Sequence, residues 1–456
     1  MARPAIVYSC STCGHESPKW HGRCPGCGEW NSLVEEARVA PGPGAVAGGR
    51  RSGGRAAPRA LRPVALRDVE APEIERLGTG IGEFDRVLGG GLVPGSLVLI
   101  GGSPGIGKST LTSGALGNLA AAGRRVLYVS GEESAAQVKL RAERLGPGAL
   151  SVPIVAETDL DAVLATLESE RPEVCVIDSV QVLYDSGLTG APGSVGQVRE
   201  VAGRVMRVAK ARGIATLLVG HVTKEGSLAG PRVLEHLVDC VLSFEGERER
   251  TFRTLRALKN RFGSTNEVGV FEMASTGLVE VEDASARFVS EATKAPGSVV
   301  LCAMEGSRPM LVEVQALVAP SELVPPRRVA NGVDRNRLAL VLAVLARHGG
   351  VSLGSGDVFV SVAGGVRVDE PGADLAIALA LASAAKGNGL GDEGKPLAAF
   401  GELGLTGELR HVAHADRRLS EARKFGLTEV MHPREGVGTL RRALGVAAGG
   451  VHARAA

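Results

Sequence analysis

The sequence predicts a mixed α/β protein, with a mostly parallel sheet covered by helices on both faces. A small metal-stapled segment precedes this core and an α+β domain follows it. Three observations carry this expectation. Apolar strand-like runs alternate with helical runs from Val126 to Gly220, the order that builds a parallel sheet. A glycine-rich turn joins one apolar strand to a helix, and two CxxC pairs stand close to the N-terminus.

The turn is Gly102-Ser103-Pro104-Gly105-Ile106-Gly107-Lys108-Ser109-Thr110. Gly102 to Ser109 matches the spacing of a phosphate-binding loop. Ser96 to Ile100 reads as the strand before it, and Leu111 to Ala122 as the helix after it, stopped at Gly123. Glycines let backbone N–H groups approach phosphate oxygens, and the helix N-terminus adds favourable dipole charge. Lys108 is expected on the β- and γ-phosphates of ATP, and Ser109 on Mg²⁺.

The remaining elements follow in order. Val126–Ser130, Val152–Ala156, Val174–Asp178 and Ile214–Gly220 read as strands. Ser134–Leu145, Leu160–Glu170 and Val195–Ala211 read as helices between them. Such sheets bind ligands at the C-terminal ends of their strands. Asp178 ends its strand, and its carboxylate is expected to bind Mg²⁺, directly or through water. Glu132, in Ser130-Gly131-Glu132-Glu133, is the expected base for the attacking water; an acidic helix cap is the alternative for Glu133. His221 could sense the γ-phosphate or be structural. Phe252–Leu258, Val268–Met273 and Leu278–Val281 read as antiparallel strands. Lys259-Asn260-Arg261-Phe262-Gly263 sits between the first two, as a solvated hairpin tip or as cations reaching a neighbouring subunit's phosphate.

Length and composition bound the rest. At 456 residues, 44% hydrophobic, the chain can form two or three domains. A net charge of +2 gives no global electrostatic case for nucleic acid, so any such case must be local. Met1-Ala2-Arg3-Pro4 leads into cysteines rather than an apolar leader. The run Ala373 to Ala385 carries Asp374 and is too short for a bilayer. The expectation is a cytoplasmic protein with no membrane partner.

Cysteines then read as metal ligands or buried thiols rather than disulfides. Cys10, Cys13, Cys24 and Cys27 supply the S₄ cage that Zn²⁺ prefers, with a redox pair or disulfides as the alternative. Trp20 and Trp30 are expected to pack the knuckles, a partner contact being the alternative. From Arg38 to Pro63 the chain is rich in Pro, Gly, Ala and Arg with no acidic residue. It reads as a flexible linker or a phosphate-contacting arm. The expected domains are a zinc ribbon over 1–36, a linker over 37–65, an ATPase domain over 66–285 and a C-terminal domain over 286–456.

These motifs resemble the RecA/DnaB superfamily of ring- and filament-forming ATPases. Along nearly its whole length the chain is similar to one bacterial DNA-repair family within it. The likeness rests on the paired CxxC motifs, Gly102 to Ser109, Val176-Ile177-Asp178-Ser179 and the Lys259 to Gly263 pentapeptide. It implies a RecA-like core and a homohexameric, ATP-driven motor on single-stranded and branched DNA. It also implies branch migration alongside a RecA recombinase, a replicative helicase being a further candidate partner. In that resemblance Lys259 and Arg261 couple ATP to DNA across a subunit interface, and His221 and Lys224 stand at the sensor and the start of a DNA-facing loop.

The C-terminal domain predicts a hairpin, Val299–Ala303 with Pro309–Val318, a helix over Asp334–Arg347, a strand over Val358–Val362 and a helix over Ala373–Ala385. It resembles the proteolytic domain of Lon, an α+β fold with a Ser–Lys dyad. Here Ala373 stands at the nucleophile position and Asp416 near the lysine position, so proteolysis is not expected. Lys386, Arg410, Arg417, Arg418, Arg423, Lys424, Arg441 and Arg442 are candidate DNA-facing charges or a solvated face. The readings to be weighed are a DNA-dependent ATPase, an ATPase ring acting on a protein partner, and an ATP-dependent protease.

Overall fold

The structure, a computed structural model, describes residues 5–10, 15–26, 28–30, 32–38, 65, 68, 75–188, 190–220, 233–246, 252–281, 283–363, 366–392 and 394–449. Cys13, Cys27, His221, Lys224 and the linker arginines Arg50 to Arg62 lie outside these residues. The chain divides into two compact units. One is Met1–Phe244 with Ala257–Gly263 and Ser275–Gly277; the other is Glu245–Arg256, Ser264–Ala274 and Leu278–Ala456.

The first unit begins with a three-stranded antiparallel ribbon, β1 (Ala5–Cys10), β2 (Glu16–Ser17) and β3 (Leu33–Arg38), in the order β2-β1-β3. Then come α1 (Gly82–Leu88), β4 (Leu97–Gly102), α2 (Lys108–Ala121), β5 (Val126–Ser130), α3 (Ala135–Leu145), α4 (Pro147–Leu150) and β6 (Ile154–Ala156). Next are α5 (Leu160–Glu170), β7 (Val174–Asp178), α6 (Val195–Arg212), β8 (Ala215–Val219), α7 (Val233–Leu237) and β9 (Cys240–Glu245). The strands β9-β4-β8-β7-β5-β6 lie side by side and parallel. β4, β5, β7 and β8 are buried at every residue, as strands covered on both faces must be. One core is built from these strands against the apolar stripes of α5 and α6.

Local chemistry sets the boundaries. The Ser134 hydroxyl accepts from the Gln137 N–H in a reciprocal capping box that opens α3. The Asp159 carboxylate accepts from the Ala162 N–H to open α5. Gly213 takes the left-handed conformation that ends α6. β6 begins at Ile154 rather than at Val152, because Pro153 has no N–H for the ladder. α2 begins at Lys108 rather than Leu111, since Gly107 at φ 116° turns the loop straight into the helix.

Three further strands follow: β10 (Phe252–Asn260), β11 (Val268–Ala274) and β12 (Gly277–Glu280). β10 and β11 pair antiparallel. The second unit continues with α8 (Ala284–Val289), β13 (Ser298–Glu305), β14 (Arg308–Pro320), β15 (Arg328–Asn331), α9 (Arg335–Val344), β16 (Gly356–Val362) and α10 (Asp374–Lys386). It closes with β17 (Ala398–Ala399), β18 (Glu402–Leu403), β19 (Leu409–Arg410), α11 (Ala415–Lys424), β20 (Val430–Met431) and α12 (Leu440–Gly449). β13 and β14 form the expected antiparallel hairpin inside a six-stranded mixed sheet, β15-β16-β14-β13-β17-β20. α10 is buried from Asp374 to Ser383. α9 stops at Val344, and the chain runs on as one π-helical turn to Gly349.

Two expectations fail. Arg418 is not a surface charge: it is 2% exposed, donates to both Glu370 carboxylate oxygens at 2.8 and 2.5 Å, and donates to the Cys302 carbonyl. Arg410, Arg417 and Lys424 are also engaged, by Glu408, the Ser307 carbonyl and Asp283. Nor do Trp20 and Trp30 pack inward. They are 54% and 68% exposed, both beside Gly22, with Arg23 over the Trp30 ring.

Candidate functional site

The loop after β4 is shaped by three glycines. Gly105 and Gly107 hold φ of 76° and 116°, where a side chain would be strained. A Cβ at Gly102 would come within 2.7 Å of the Phe244 carbonyl oxygen on the neighbouring strand. Lys108 opens α2 and is only 4% exposed. Its Nζ donates to the Gly102 and Ser103 carbonyls at 2.8 and 3.1 Å. Burial lowers its pKa, while the negative charges of Asp178 and Glu132 oppose the shift. Ser109 and Thr110 follow in the first turn of α2, both half-buried.

Asp178 ends β7 and is 7% exposed. β8 lies between β7 and the loop strand β4, and β5 flanks β7 on the other side. The register pairs Ser130 with Asp178, so the Glu132 and Glu133 segment leaves β5 beside the end of β7. The Gly131 N–H donates to the Asp178 carbonyl at 2.8 Å. The Glu132 carboxylate accepts from the Ser179 hydroxyl in a short hydrogen bond. Glu133 is not the cap of α3, which is Ser134; it forms an ion pair with Arg141. Glu132 is the exposed member of the pair and Glu133 the half-buried one.

Sequence reasoning missed Tyr128 and Arg141. The Tyr128 hydroxyl donates to Asp178 Oδ2 at 2.5 Å, and Arg141 Nη2 donates to the same hydroxyl at 3.0 Å. Burial, followed by the Asp178 charge, pushes the Tyr128 pKa far up, so the hydroxyl keeps its proton. The signal for this lies only in strand register: Tyr128 pairs with Val176, two residues before Asp178 and on the same face.

The pentapeptide lies elsewhere. Lys259 Nζ donates to the Glu235 and Val238 carbonyls at 2.7 and 2.8 Å, and burial lowers its pKa, with Arg261 adding to the shift. Arg261 pairs with buried Asp239 at 3.1 Å, and Asp239 also accepts from the Leu97 N–H. Asn260 Nδ2 lies within 3.3 Å of the Val87 and Leu88 carbonyls, and Asn260 Oδ1 accepts from the Phe262 N–H. None of these partners belongs to the loop from Gly102 to Thr110. In the second unit, Ala373 is fully buried and Asp416 is exposed.

In the ribbon, Cys10 and Cys24 are 0% and 2% exposed and share one small cluster with Leu33. The Gly26 N–H donates to Cys24 Sγ at 3.3 Å, and Gly28 turns at φ 77°. Two inward thiols on one cluster, with an N–H aimed at sulfur, fit the donor chemistry of a zinc knuckle.

A family described as an AAA domain matches residues 62–227, and one described as a rubredoxin metal binding domain matches residues 8–35. A KaiC-like protein from Pyrococcus horikoshii OT3 is 21% identical with a TM-score of 0.38, over 46% of this chain and 99% of that one. The DNA repair protein RadA of Bacillus subtilis (strain 168) is 48% identical, over 95% of this chain and 93% of its own length. The protein of the same name from Streptococcus pyogenes serotype M1 is 49% identical, over 95% and 94%. A third, from Brucella abortus (strain 2308), is 48% identical over 95% and 92%. At that identity and coverage, the chain belongs to the RadA family of DNA repair proteins.

Proposed function

We propose that the chain is a DNA-dependent ATPase of recombinational DNA repair, an ATP-driven motor on single-stranded DNA that promotes branch migration beside a RecA recombinase. The observation that carries the ATPase reading is the glycine-turned loop that ends β4 and buries Lys108 at the start of α2, in a parallel sheet whose β7 ends at Asp178 and whose β5 leads into Glu132. Loop N–H groups receive the phosphates, and Lys108 exchanges its two carbonyl partners for β- and γ-phosphate oxygens. Ser109 and Asp178 hold Mg²⁺, which when bound neutralises charge building on those oxygens. Glu132, steadied by Ser179, takes the proton of the attacking water. His221 senses the γ-phosphate. Lys259 and Arg261 act on a neighbouring subunit's nucleotide in a homohexamer, and must first leave the partners they hold here.

The domain scheme in this reading is 1–36, 37–65, 66–285 and 286–456. Cys10, Cys13, Cys24 and Cys27 hold Zn²⁺, which supplies folding energy to a segment too short for its own core. The last domain is a Lon-like scaffold without peptidase activity, because neither Ala373 nor Asp416 can act as a nucleophile–lysine dyad. The protein works in the cytoplasm; among the described residues, no helix is long and apolar enough to cross a membrane.

The test is ATP turnover with and without single-stranded DNA across a salt series. Stimulation that fades with salt supports the reading. Turnover indifferent to DNA refutes the DNA coupling and favours a ring that acts on a protein partner.

A further inference from the structure

Tyr128 is 2% exposed and has one polar atom, which is fully used. Its hydroxyl gives its proton to Asp178 Oδ2 and takes a hydrogen bond from Arg141. Arg141 in turn is paired with Glu133, on the segment that also carries Glu132. Among the described residues, Asp178 Oδ1 carries no hydrogen bond, so the network holds one carboxylate oxygen and leaves the other.

The ring itself does not need the hydroxyl. Tyr128 lines a cavity of about 350 Å³ together with Ser113, Val138 and Ala142. A phenylalanine would fill the same space. What the oxygen adds is directional: it fixes the carboxylate plane of Asp178 and ties that plane to the strand end bearing the two glutamates.

We propose that Tyr128 is a positioning residue of the metal site, holding Asp178 by Oδ2 so that Oδ1 is presented to the divalent cation. This rests on the reading of Asp178 as a metal carboxylate. Groups that orient a metal ligand from behind carry much of a site's affinity, and their loss costs about 10- to 100-fold. Tyr128→Phe deletes one atom and keeps the ring packing, but it strands Asp178 Oδ2 and Arg141 Nη2, so some loss of stability is expected and metal affinity is the deciding readout.

The experiment uses the full chain, with Mn²⁺ as the probe and a non-hydrolysable ATP analogue present. Mn²⁺ affinity is read by electron paramagnetic resonance, beside the thermal midpoint and the Mg²⁺ dependence of turnover. Tyr128→Phe is expected to weaken Mn²⁺ binding about tenfold or more while the chain stays folded, with its melting point lowered by a few degrees. Asp178→Asn serves as the reference and is expected to lose tight Mn²⁺ binding. If Asp178→Asn keeps it, the metal reading of Asp178 fails and takes this proposal with it. If Asp178→Asn loses Mn²⁺ but Tyr128→Phe binds it as wild type does, the metal reading stands and the positioning role is overturned. A lowered melting point with unchanged Mn²⁺ affinity would likewise mark Tyr128 as structural only.

Discussion

Lys108→Ala separates the chemistry of the phosphate loop from its folding. In the folded chain the ammonium is nearly out of solvent and bonded to two carbonyls. Burial lowers its pKa, so the charged form is held at a cost. The sign follows: a lysine whose pKa falls on folding adds no stability in the range where it is charged. Removing it is therefore expected to shift the melting point by only a few degrees. Turnover should behave otherwise. A unit charge about 4 Å from a phosphate oxygen, at an effective dielectric near 20, is worth roughly 4 kcal/mol. Losing it from the transition state slows hydrolysis about a thousandfold. The assay is steady-state ATP hydrolysis at saturating Mg²⁺, with calorimetry on the same preparations. Turnover within tenfold of wild type, in a normally folded variant, would refute the placement of Lys108 on the transferred phosphate.

Replacing Cys24 by serine should lower zinc stoichiometry and unfold residues 1–36 while leaving the sheet from β4 to β9 protected; hydrogen exchange with metal analysis checks both. Arg418→Ala strands the Glu370 carboxylate, which also accepts from the Met304 N–H. It should cost about 3–5 kcal/mol in the second unit, read as a loss of two to four powers of ten in β13 amide protection. Pairing it with Glu370→Leu should restore much of that loss. Arg261→Ala and Lys259→Ala should fold and bind nucleotide yet lose stimulation of turnover by DNA, since neither cation touches this chain's own phosphate loop. DNA-stimulated turnover at the wild-type level in both variants would sink the coupling role.

Much of the core was legible because its signals are local. β5, β7 and α5 have the predicted bounds, each set by an apolar run closed by a turn residue or cap. Lys108, Asp178 and Glu132 could be singled out because a glycine-rich turn before a helix, a strand-end carboxylate and a carboxylate after the adjoining strand leave fixed spacings in the chain. Other assignments depended on neighbours distant in sequence. Arg418 looked like any helix-face cation, yet Glu370, 48 positions away, draws it inside. Trp20 and Trp30 looked like packing residues, yet both are mostly exposed, with Arg23 over the Trp30 ring.

From β4 to β8 the sequence by itself determined the alternation of strands and helices, apart from the four-residue α4, but it did not announce β9, which lies beside the loop strand. That alternation is specified by residue types a few positions apart. Only the tertiary structure decided that β8 separates the loop strand from the strand of Asp178. It alone brought Tyr128 to Asp178 across 50 residues and sent Lys259 and Arg261 to Glu235, Val238 and Asp239. The physical reason is common to all three. Parallel strands meet through crossover connections, so which side chains share a strand end depends on sheet order and register, and neither has a local signature.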